Sequence, residues 1–509
     1  MVEADGRSNF LTGDTRRGGI LLHPTSLPGS SGTGELGSHA YRWLDFLKAA
    51  GQRLWQVLPL GPTGYGDSPY QSFSSFAGNP LLISTELLVQ DGWLEAAELK
   101  VLEALPRDHV DFGRLIPEKT RLLQLAARRF LQAGATPAFQ QFVAAQADWL
   151  EDFVLFMALK AEHGGGVWTD WPAAERSREP AALQIARERN AAALEELRVQ
   201  QFWFFSQWQA LRSHAAERDI QIIGDLPIFV AMDSADTWAA QQLFDLDDDS
   251  RPLNVAGVPP DYFSATGQRW GNPLYLWDRH RADGYAWWIR RVRQSLQLFD
   301  RLRVDHFRGF EAYYSIPASE PTAVRGEWIR GPGQELFTAL ASALGELPLI
   351  AEDLGIITPA VEELRDRNSL PGMRVLQFAF GGNPRDPYLP HNHVPNSLVY
   401  TGTHDNDTTL GWYLSASEAE RDLARRYLGA EDEDVPWLLL RWAFASVADM
   451  ALVPLQDVLG LDSSARMNTP GRAGGNWSWR FDWEQPGNWA APVLRDLSLI
   501  YGRLPAEQP

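Results

Sequence analysis

The chain has 509 residues, of which 45% are hydrophobic and 22% charged, a composition typical of a large soluble globular protein. Its 65 acidic and 46 basic residues give a net charge of −19, which argues against a nucleic-acid partner and against binding to an anionic membrane surface. Because the chain has no cysteine, disulfides, thiolate metal ligands and cysteine nucleophiles are excluded.

Two features of the sequence indicate where in the cell the protein is located. The first residues, MVEADGR, lack the basic and then apolar pattern of a signal peptide. No run of 18 apolar residues occurs, so no membrane span is predicted. We therefore expect a cytoplasmic protein.

Eight short apolar runs, several of which end in an acid or a proline, predict buried parallel strands. They lie at residues 19–22, 54–58, 220–226, 302–305, 347–352, 373–380, 397–403 and 450–455. Helical periodicity fills most of the intervals, as at 334–344, at 419–427 and after Ser38, which we predict to be a helix N-cap. Eight strands alternating with helices predict an α/β fold, a (β/α)₈ TIM barrel.

Two connections are too long for a plain barrel. Residues 67–216, between strands two and three, predict a helical insertion with periodic segments at 118–131, 140–162 and 181–216. Residues 227–300, between strands three and four, predict an insertion with an irregular stretch at 258–273 and a helix at about 284–299. No internal repeat or linker is seen, so residues 1–509 are expected to form one discontinuous catalytic barrel.

Three acids stand at the ends of predicted strands: Asp305, Glu352 and Asp405. In a barrel of this kind the carboxyl ends of the strands form the active site. A retaining glycosidic exchange needs one ionised carboxylate as nucleophile and one protonatable carboxyl as acid and base. Arg303, two residues before Asp305, favours an ionised nucleophile, and the apolar setting of Glu352 favours a raised pKa. Asp405 would then stabilise the transition state.

Any one of these acids alone is better explained as a strand-end charge that pairs with an arginine or caps a helix. Three at matching positions, with His306 and His404 beside two of them, favour an active site. Tryptophan is abundant, with 21 residues, and those in polar loops suit the apolar face of a sugar as well as they suit a core: Trp168, Trp171, Trp270, Trp477 and Trp479.

Several motifs resemble nucleotide-binding or metal-binding sites but do not match them fully. Residues 32–37 spell G-x-G-x-x-G, but no strand precedes them and Arg53 stands where a ribose-binding acid would fall. Residues 245–250 resemble a calcium-binding loop but lack its glycine, so they do not form an EF-hand. A calcium site of less regular geometry remains an alternative at these residues. His391 and His393 could chelate a metal, although a solvated loop is favoured. No P-loop or G-x-S-x-G elbow occurs. We therefore expect no metal and no cofactor.

The chain nevertheless resembles a known family. The segments around Asp225, Arg303, Glu352 and His404 are similar to the four sequence regions of the α-amylase superfamily. Amylomaltases, also called 4-α-glucanotransferases or disproportionating enzymes, are the finer match. The stretches that resemble them lie at 23–28, 64–72, 259–264, 268–273 and 468–472. The superfamily histidine that usually ends the Asp225 region is absent, as in amylomaltases.

The resemblance implies a barrel without a separate C-terminal β-domain. It implies Asp305 as nucleophile, Glu352 as acid and base, and Asp405 as transition-state stabiliser; Asp407 is the alternative, but Asp405 directly follows His404 as the pattern requires. It also implies that nine residues contact glucosyl units or cover the cleft: Ser68, Tyr70, Asp225, Asp261, Gln268, Trp270, Arg303, His306 and His404.

The sequence therefore predicts a retaining 4-α-glucanotransferase that passes a segment of an α-1,4-glucan, through a glycosyl-aspartate, to the 4-hydroxyl of another glucan or of glucose. Its partners would be maltooligosaccharides and α-1,4-glucans as donor and acceptor, in starch or glycogen metabolism. The rivals are an α-amylase-like hydrolase, in which water is the acceptor, and a glucan-binding protein with an inactive barrel. The intact Asp305 and Glu352 speak against the second rival.

Overall fold

The computed structural model describes residues 16–260, 264–472 and 474–504. Twelve strands are present in this part of the chain: β1 Arg17–Leu21, β2 Leu54–Gln56, β3 Gln221–Pro227, β4 Asn254–Val258, β5 Gln268–Pro273, β6 Arg301–Asp305, β7 Ala312–Pro317, β8 Glu327–Arg330, β9 Leu349–Ala351, β10 Gly372–Val375, β11 Ser397–Tyr400 and β12 Met450–Pro454.

Eight of these strands form one parallel sheet in the order β10-β11-β12-β1-β2-β3-β6-β9. The two outer strands also approach each other, since the amide of Ala351 donates to the carbonyl oxygen of Pro371 at 2.9 Å. The sheet is thus a nearly closed barrel, and the predicted (β/α)₈ fold is confirmed. Each of the eight predicted apolar runs overlaps one of its strands.

The interior of the barrel is filled by alternate residues of these strands. Leu398 and Tyr400 of β11 point into a central cluster that also contains Ile223 and Ile350, whereas Val399 belongs to the cluster between the strands and the helices. Because side chains two residues apart share a face, the residues two positions after Ile223 and Ile350 also point inward at the carboxyl end. Those positions hold polar residues, and they form the site described below.

Nineteen α-helices are described: α1 Ser38–Ala49, α2 Thr85–Gln90, α3 Lys100–Glu103, α4 Phe112–Ala133, α5 Pro137–Ala145, α6 Ala147–Glu162, α7 Ala173–Arg176, α8 Pro180–Arg189, α9 Ala191–Ala216, α10 Ala235–Ala239, α11 Trp277–Ala282, α12 Ala286–Leu298, α13 Gln334–Leu344, α14 Pro359–Arg367, α15 Thr409–Ser415, α16 Glu418–Leu428, α17 Val435–Ala445, α18 Leu455–Val458 and α19 Ala490–Ile500.

The connection between β2 and β3 contains eight of these helices, α2 to α9. The periodic segments at 140–162 and 181–216 are each interrupted, at Gln146 and at Asn190. The last helix also packs on the barrel, because the rings of Trp208 in α9 and Trp55 in β2 lie 6.3 Å apart. That residues 67–216 form a subdomain of their own stays a prediction.

A second sheet, which no sequence pattern predicted, is also present. Strands β5, β4, β7 and β8 pair antiparallel in that order, so part of the stretch predicted to be irregular is a strand, Gln268–Pro273. Its glycine, proline and asparagine residues conceal the alternation that marks a strand. The helix predicted at 284–299 is α12. Ser38 is the first residue of α1 and not its cap, since its hydroxyl donates to Glu86 at 2.7 Å.

After β12 the described residues form helices and loops and no further strand, so no C-terminal β-domain follows the barrel in this part of the chain. Among the described helices, none is both long enough and apolar enough to cross a membrane.

Candidate active site

The three acids lie at the carboxyl edge of the barrel. Val304 of β6 pairs with Ala351 of β9. Asp305 and Glu352 therefore follow at the next position of adjacent strands, where backbones are about 4.8 Å apart. Asp405 lies in the turn after β11, two strands beyond β9 in the barrel order. The structure thus brings all three predicted acids to one edge.

Arg303 organises the floor beneath Asp305. One of its terminal nitrogens donates to Asp225 Oδ2 at 2.6 Å, and the other donates to Asp305 Oδ1 at 3.0 Å. The hydroxyl of Tyr70 donates to the same Asp225 oxygen at 2.9 Å. Burial disfavours the charge of Arg303, but the two carboxylates outweigh burial and raise its pKa well above the usual value. A permanent positive charge thus stands beside Asp305.

Glu352 is held by the backbone on both sides of its carboxyl. Oε2 accepts the amide of His306 at 2.7 Å, and Oε1 accepts the amide of Leu354 at 2.9 Å. His306 has a left-handed backbone with φ 51°, which is uncommon for a residue other than glycine. In a regular ladder its amide would bind the Glu352 carbonyl oxygen; here Phe307 does so at 3.1 Å, leaving the His306 amide to the carboxyl.

Glu352 has a strongly perturbed pKa. Part of its surface opens to the cleft, but its carboxyl is surrounded by protein, and this desolvation raises the pKa to about 7. The neighbouring charge of Asp305 adds to the effect, while Arg303 and the two amides oppose it. Glu352 is therefore partly protonated near neutral pH, as a group that both donates and accepts a proton requires.

Asp405 is fixed by two residues, Asn468 and Arg466, for which no role was predicted. Asn468 Nδ2 donates to Asp405 Oδ1 at 2.6 Å, and Arg466 donates to the Asp405 carbonyl oxygen at 2.6 Å. His404 Nε2 lies 3.4 Å from the other carboxylate oxygen. Asn468 begins one of the stretches that carried the resemblance, and that position was the only signal for it.

Aromatic rings line both sides of the acids. Tyr70 stacks on His404 with ring centroids 5.2 Å apart, and Trp477 lies 5.9 Å from Tyr70. On the other side, Trp270 of β5 meets His306 edge to face at 4.9 Å. The second sheet, absent from the prediction, is therefore what brings Trp270 to the cleft.

The other predicted contact residues fall into two groups. Ser68 Oγ accepts the amide of Tyr70 at 3.2 Å, and the exposed Gln268 accepts the indole N–H of Trp270 at 3.1 Å, so both lie next to cleft rings. Asp261 lies outside the described residues. Two of the loop tryptophans are core residues instead: Trp168 is 0% exposed and Trp171 is 3% exposed, so the sugar-contact hypothesis is wrong for both.

Three histidines at this edge have buried ring atoms without a hydrogen-bond partner among the described residues: His23 Nδ1, His306 Nε2 and His404 Nδ1. Desolvation lowers the pKa of His23 to about 3 and that of His306 to about 4, so both are neutral at physiological pH. His23 had no predicted role. Neutral imidazoles with a spare nitrogen suit an uncharged ligand rich in hydroxyl groups.

The candidate metal sites have other contacts. His391 and His393 bond to protein groups through both ring nitrogens, among them Tyr427, Ser446 and Tyr388. Asp247 Oδ1 accepts two amides of its own turn. Over the described ranges, no group of three or more His, Asp or Glu side chains is arranged to hold a metal ion.

Comparison with known proteins places this site in a family. Residues 22–485 match the family model described as 4-alpha-glucanotransferase. A 4-alpha-glucanotransferase from Thermus thermophilus is 54% identical over 91% of this chain and 94% of its own, and one from Synechocystis sp. is 48% identical over 96% and 98%. The structure of the amylomaltase from Streptococcus agalactiae in complex with acarbose superposes with a TM-score of 0.94, at 38% identity, over 96% of this chain and 99% of that one. The chain therefore belongs to the 4-alpha-glucanotransferase family of the α-amylase superfamily, and it is a transferase with 4-alpha-glucanotransferase activity.

Proposed function

We propose that the enzyme transfers α-1,4-glucan segments with retention, through a covalent glycosyl intermediate on Asp305. The observation that carries the proposal is the pairing at the ends of β6 and β9. There, a carboxylate bound to Arg303 stands beside a carboxyl whose pKa is raised to about 7. Retaining glycosidases hold their two carboxyl groups about 5 to 5.5 Å apart, and adjacent positions on neighbouring strands, whose backbones lie about 4.8 Å apart, are compatible with that separation.

The first step breaks the donor linkage. An Asp305 oxygen attacks the anomeric carbon, and its electron pair forms the ester bond. The glycosidic C–O electron pair goes to the leaving oxygen, which takes the proton of Glu352 and departs as the free 4-hydroxyl of the leaving glucan. Before the attack Arg303 holds Asp305 Oδ1 by a charged hydrogen bond of 3.0 Å, and desolvation raises the pKa of Glu352 and so favours the protonated form that the step needs.

The second step reverses these roles. Glu352, now ionised, removes the proton from the 4-hydroxyl of an acceptor glucan, and the acceptor oxygen displaces Asp305 from the anomeric carbon. Two inversions at that carbon give net retention. Asp405, held by Asn468, would bind sugar hydroxyls and offset the positive charge that develops on the ring.

The residues that would contact the sugars lie at the same carboxyl edge of the barrel as the three acids. We assign Tyr70, Asp225, Arg303, His306 and His404 to the glucosyl units around the broken bond. Asp225 Oδ1 and the two imidazoles each keep a buried acceptor or donor without a protein partner among the described residues, which supports contact with hydroxyl groups.

Ser68, Gln268 and Trp270 would flank the same chain further out. Asp261, which lies outside the described residues, stays a predicted glucan contact. Trp270 covers His306, and such a cover would shed water and favour a glucan acceptor over hydrolysis. Donor and acceptor would therefore both be maltooligosaccharides or longer α-1,4-glucans.

Incubation with maltotriose tests the proposal. We expect a ladder of longer oligosaccharides together with glucose, because each transfer lengthens one chain and shortens another. Shorter sugars alone would mean hydrolysis, and no change would mean binding without catalysis; either result would contradict the proposal. In Asp305→Asn the ladder should vanish, while Glu103→Gln, at an exposed glutamate of α3, serves as the control with a normal ladder.

A further inference from the structure

A second aromatic surface lies on the outer helices, away from the three acids. Trp437 of α17 and Trp489, the residue before α19, have ring centroids 6.0 Å apart with the ring planes at 66°. Trp489 is 43% exposed, although tryptophan is usually among the more buried residues. Its indole N–H donates to the carbonyl oxygen of Gln485 at 3.2 Å, so the orientation of the exposed ring is fixed.

Trp437 lines a surface groove between α17 and α19 with a volume of about 460 Å³, and Trp489 packs against Trp437. Leu438, Val493 and Leu497 form its apolar part. This volume is within the range of ligand sites, which combine an apolar lining with a few polar groups.

Several polar atoms in the groove make no hydrogen bond to the described residues. Asp434 and Asp496 line it, and neither carboxylate has a partner among the described residues. Arg441 donates through Nε to the Tyr501 hydroxyl at 2.7 Å, and within the described chain its two terminal nitrogens make no hydrogen bond. The groove thus offers free acceptors and free donors beside flat apolar rings.

The position of the groove separates it from the catalytic cleft. α17 ends at Ala445 and leads directly to β12, which begins at Met450 on the amino side of the barrel. α17 therefore runs along the outside of the barrel from the carboxyl side towards the amino side, and the residues that line the groove belong to α17 and α19 or directly precede α17, not to the strand ends that hold Asp305 and Glu352.

We propose that this groove is a second binding site for an α-1,4-glucan chain, a proposal that takes its ligand class from the proposed function. A glucosyl ring presents C–H groups on its faces, which pack on aromatic rings, and hydroxyl groups at its edge, which bind carboxylates and guanidinium groups. The carboxylates of Asp434 and Asp496 lie in the same groove as the guanidinium of Arg441. This mixture of charges does not favour an anion or a lipid headgroup, but it suits a neutral polyol, whose hydroxyl groups both donate and accept hydrogen bonds. A site outside the cleft would hold a long glucan near the enzyme between transfers.

Affinity electrophoresis in gels containing amylopectin tests this site with the full chain. We expect the amylopectin to retard the wild type, and Trp489→Ala to bind about fivefold more weakly, the loss of one aromatic contact. Asp496→Asn, an exposed change that leaves the rings in place, should also weaken binding, and Trp489→Phe should restore part of it. Ile185→Ala, at a side chain 58% exposed on α8, is the matched control and should bind as the wild type does.

Transfer from maltotriose should be unchanged in all these variants, because the groove lies outside the cleft, while KM for long amylose should rise with kcat unaltered. Equal retardation of wild type and Trp489→Ala would overturn the proposal. So would a wild-type dimer that Trp489→Ala converts to a monomer without a change in retardation, since the groove would then be a contact between copies. If maltotriose were not converted by the wild type, the proposed function would fail while the retardation result still stood.

Discussion

Replacement of Glu352 by glutamine should change how the stability of the enzyme depends on pH. In the unfolded chain this carboxyl titrates at its ordinary pKa of 4.5, and in the folded protein burial raises that pKa to about 7. Between these values the folded state binds more protons than the unfolded state, so the free energy of unfolding falls as pH rises through this window. The favourable contribution of the protonated carboxyl is present below pH 4.5 and is lost above pH 7.

The size of the effect follows from the shift. One pKa unit corresponds to about 1.4 kcal/mol, and solvent in the open part of the cleft reduces the full value, so we expect about 2 to 3 kcal/mol between pH 4.5 and pH 8. At about 2.1 cal/mol/K per residue, the unfolding entropy of 509 residues converts this to about 2 to 3 °C in Tm.

Glu352→Gln lacks the titrating group, so its stability does not carry this pH dependence. As pH rises from 4.5 to 8, the Tm of the variant minus that of the wild type should therefore increase by about 2 to 3 °C. At pH 4.5 the variant should be the less stable protein, because both carboxyl oxygens accept amides and the glutamine must turn its NH₂ toward one of them. Differential scanning calorimetry at half-unit pH steps measures the difference, with Glu103→Gln as the exposed control, whose difference should stay flat. A Tm difference between Glu352→Gln and wild type that is constant with pH, or that falls, would refute the buried, proton-binding carboxyl.

Three further outcomes follow from the same geometry. The rate of transfer from maltotriose should fall above about pH 7 as Glu352 ionises, and a rate still rising at pH 9 in an initial-rate profile would contradict its role as acid. Asn468→Ala should lower kcat by about tenfold or more at unchanged Tm, because a hydrogen bond to the charged Asp405 is lost; kinetics equal to wild type would show that this contact is idle. Arg503→Met should lower Tm by about 3 °C or more in calorimetry, since the buried guanidinium donates to carbonyls at the end of α17, and an unchanged Tm would mean that those carbonyls find other donors.

The barrel could be predicted because its strands are buried on both faces. Such strands appear in sequence as unbroken apolar runs, and a polar residue at the end of the run is conspicuous, as with Asp305 and Glu352. The second sheet carried no such signal, because β5 reads QRWGNP, with two exposed residues at its start. The predicted fold was therefore right for the core and incomplete at the rim.

The contacts around the acids show a similar limit. The bond from Arg303 to Asp305 joins residues two positions apart on one strand, which alternation alone predicts. The bond from Asn468 to Asp405 joins residues 63 positions apart, and no local pattern indicates it. Trp168 and Trp171 lie in a loop rich in polar residues and were as easily assigned to sugar as to core; only their burial decides.

The left-handed backbone of His306 affects both the orientation and the pKa of Glu352. A residue other than glycine in this conformation costs about 1 kcal/mol or more, and here it displaces one ladder hydrogen bond by a residue. The freed amide binds Glu352 Oε2 and thereby fixes the direction of the carboxyl next to Asp305. A bond from a backbone amide favours the ionised form, so without it the pKa of Glu352 would be higher still. The same turn therefore aims the acid and restrains its pKa, so that Glu352 can give up a proton in one step and take one back in the next.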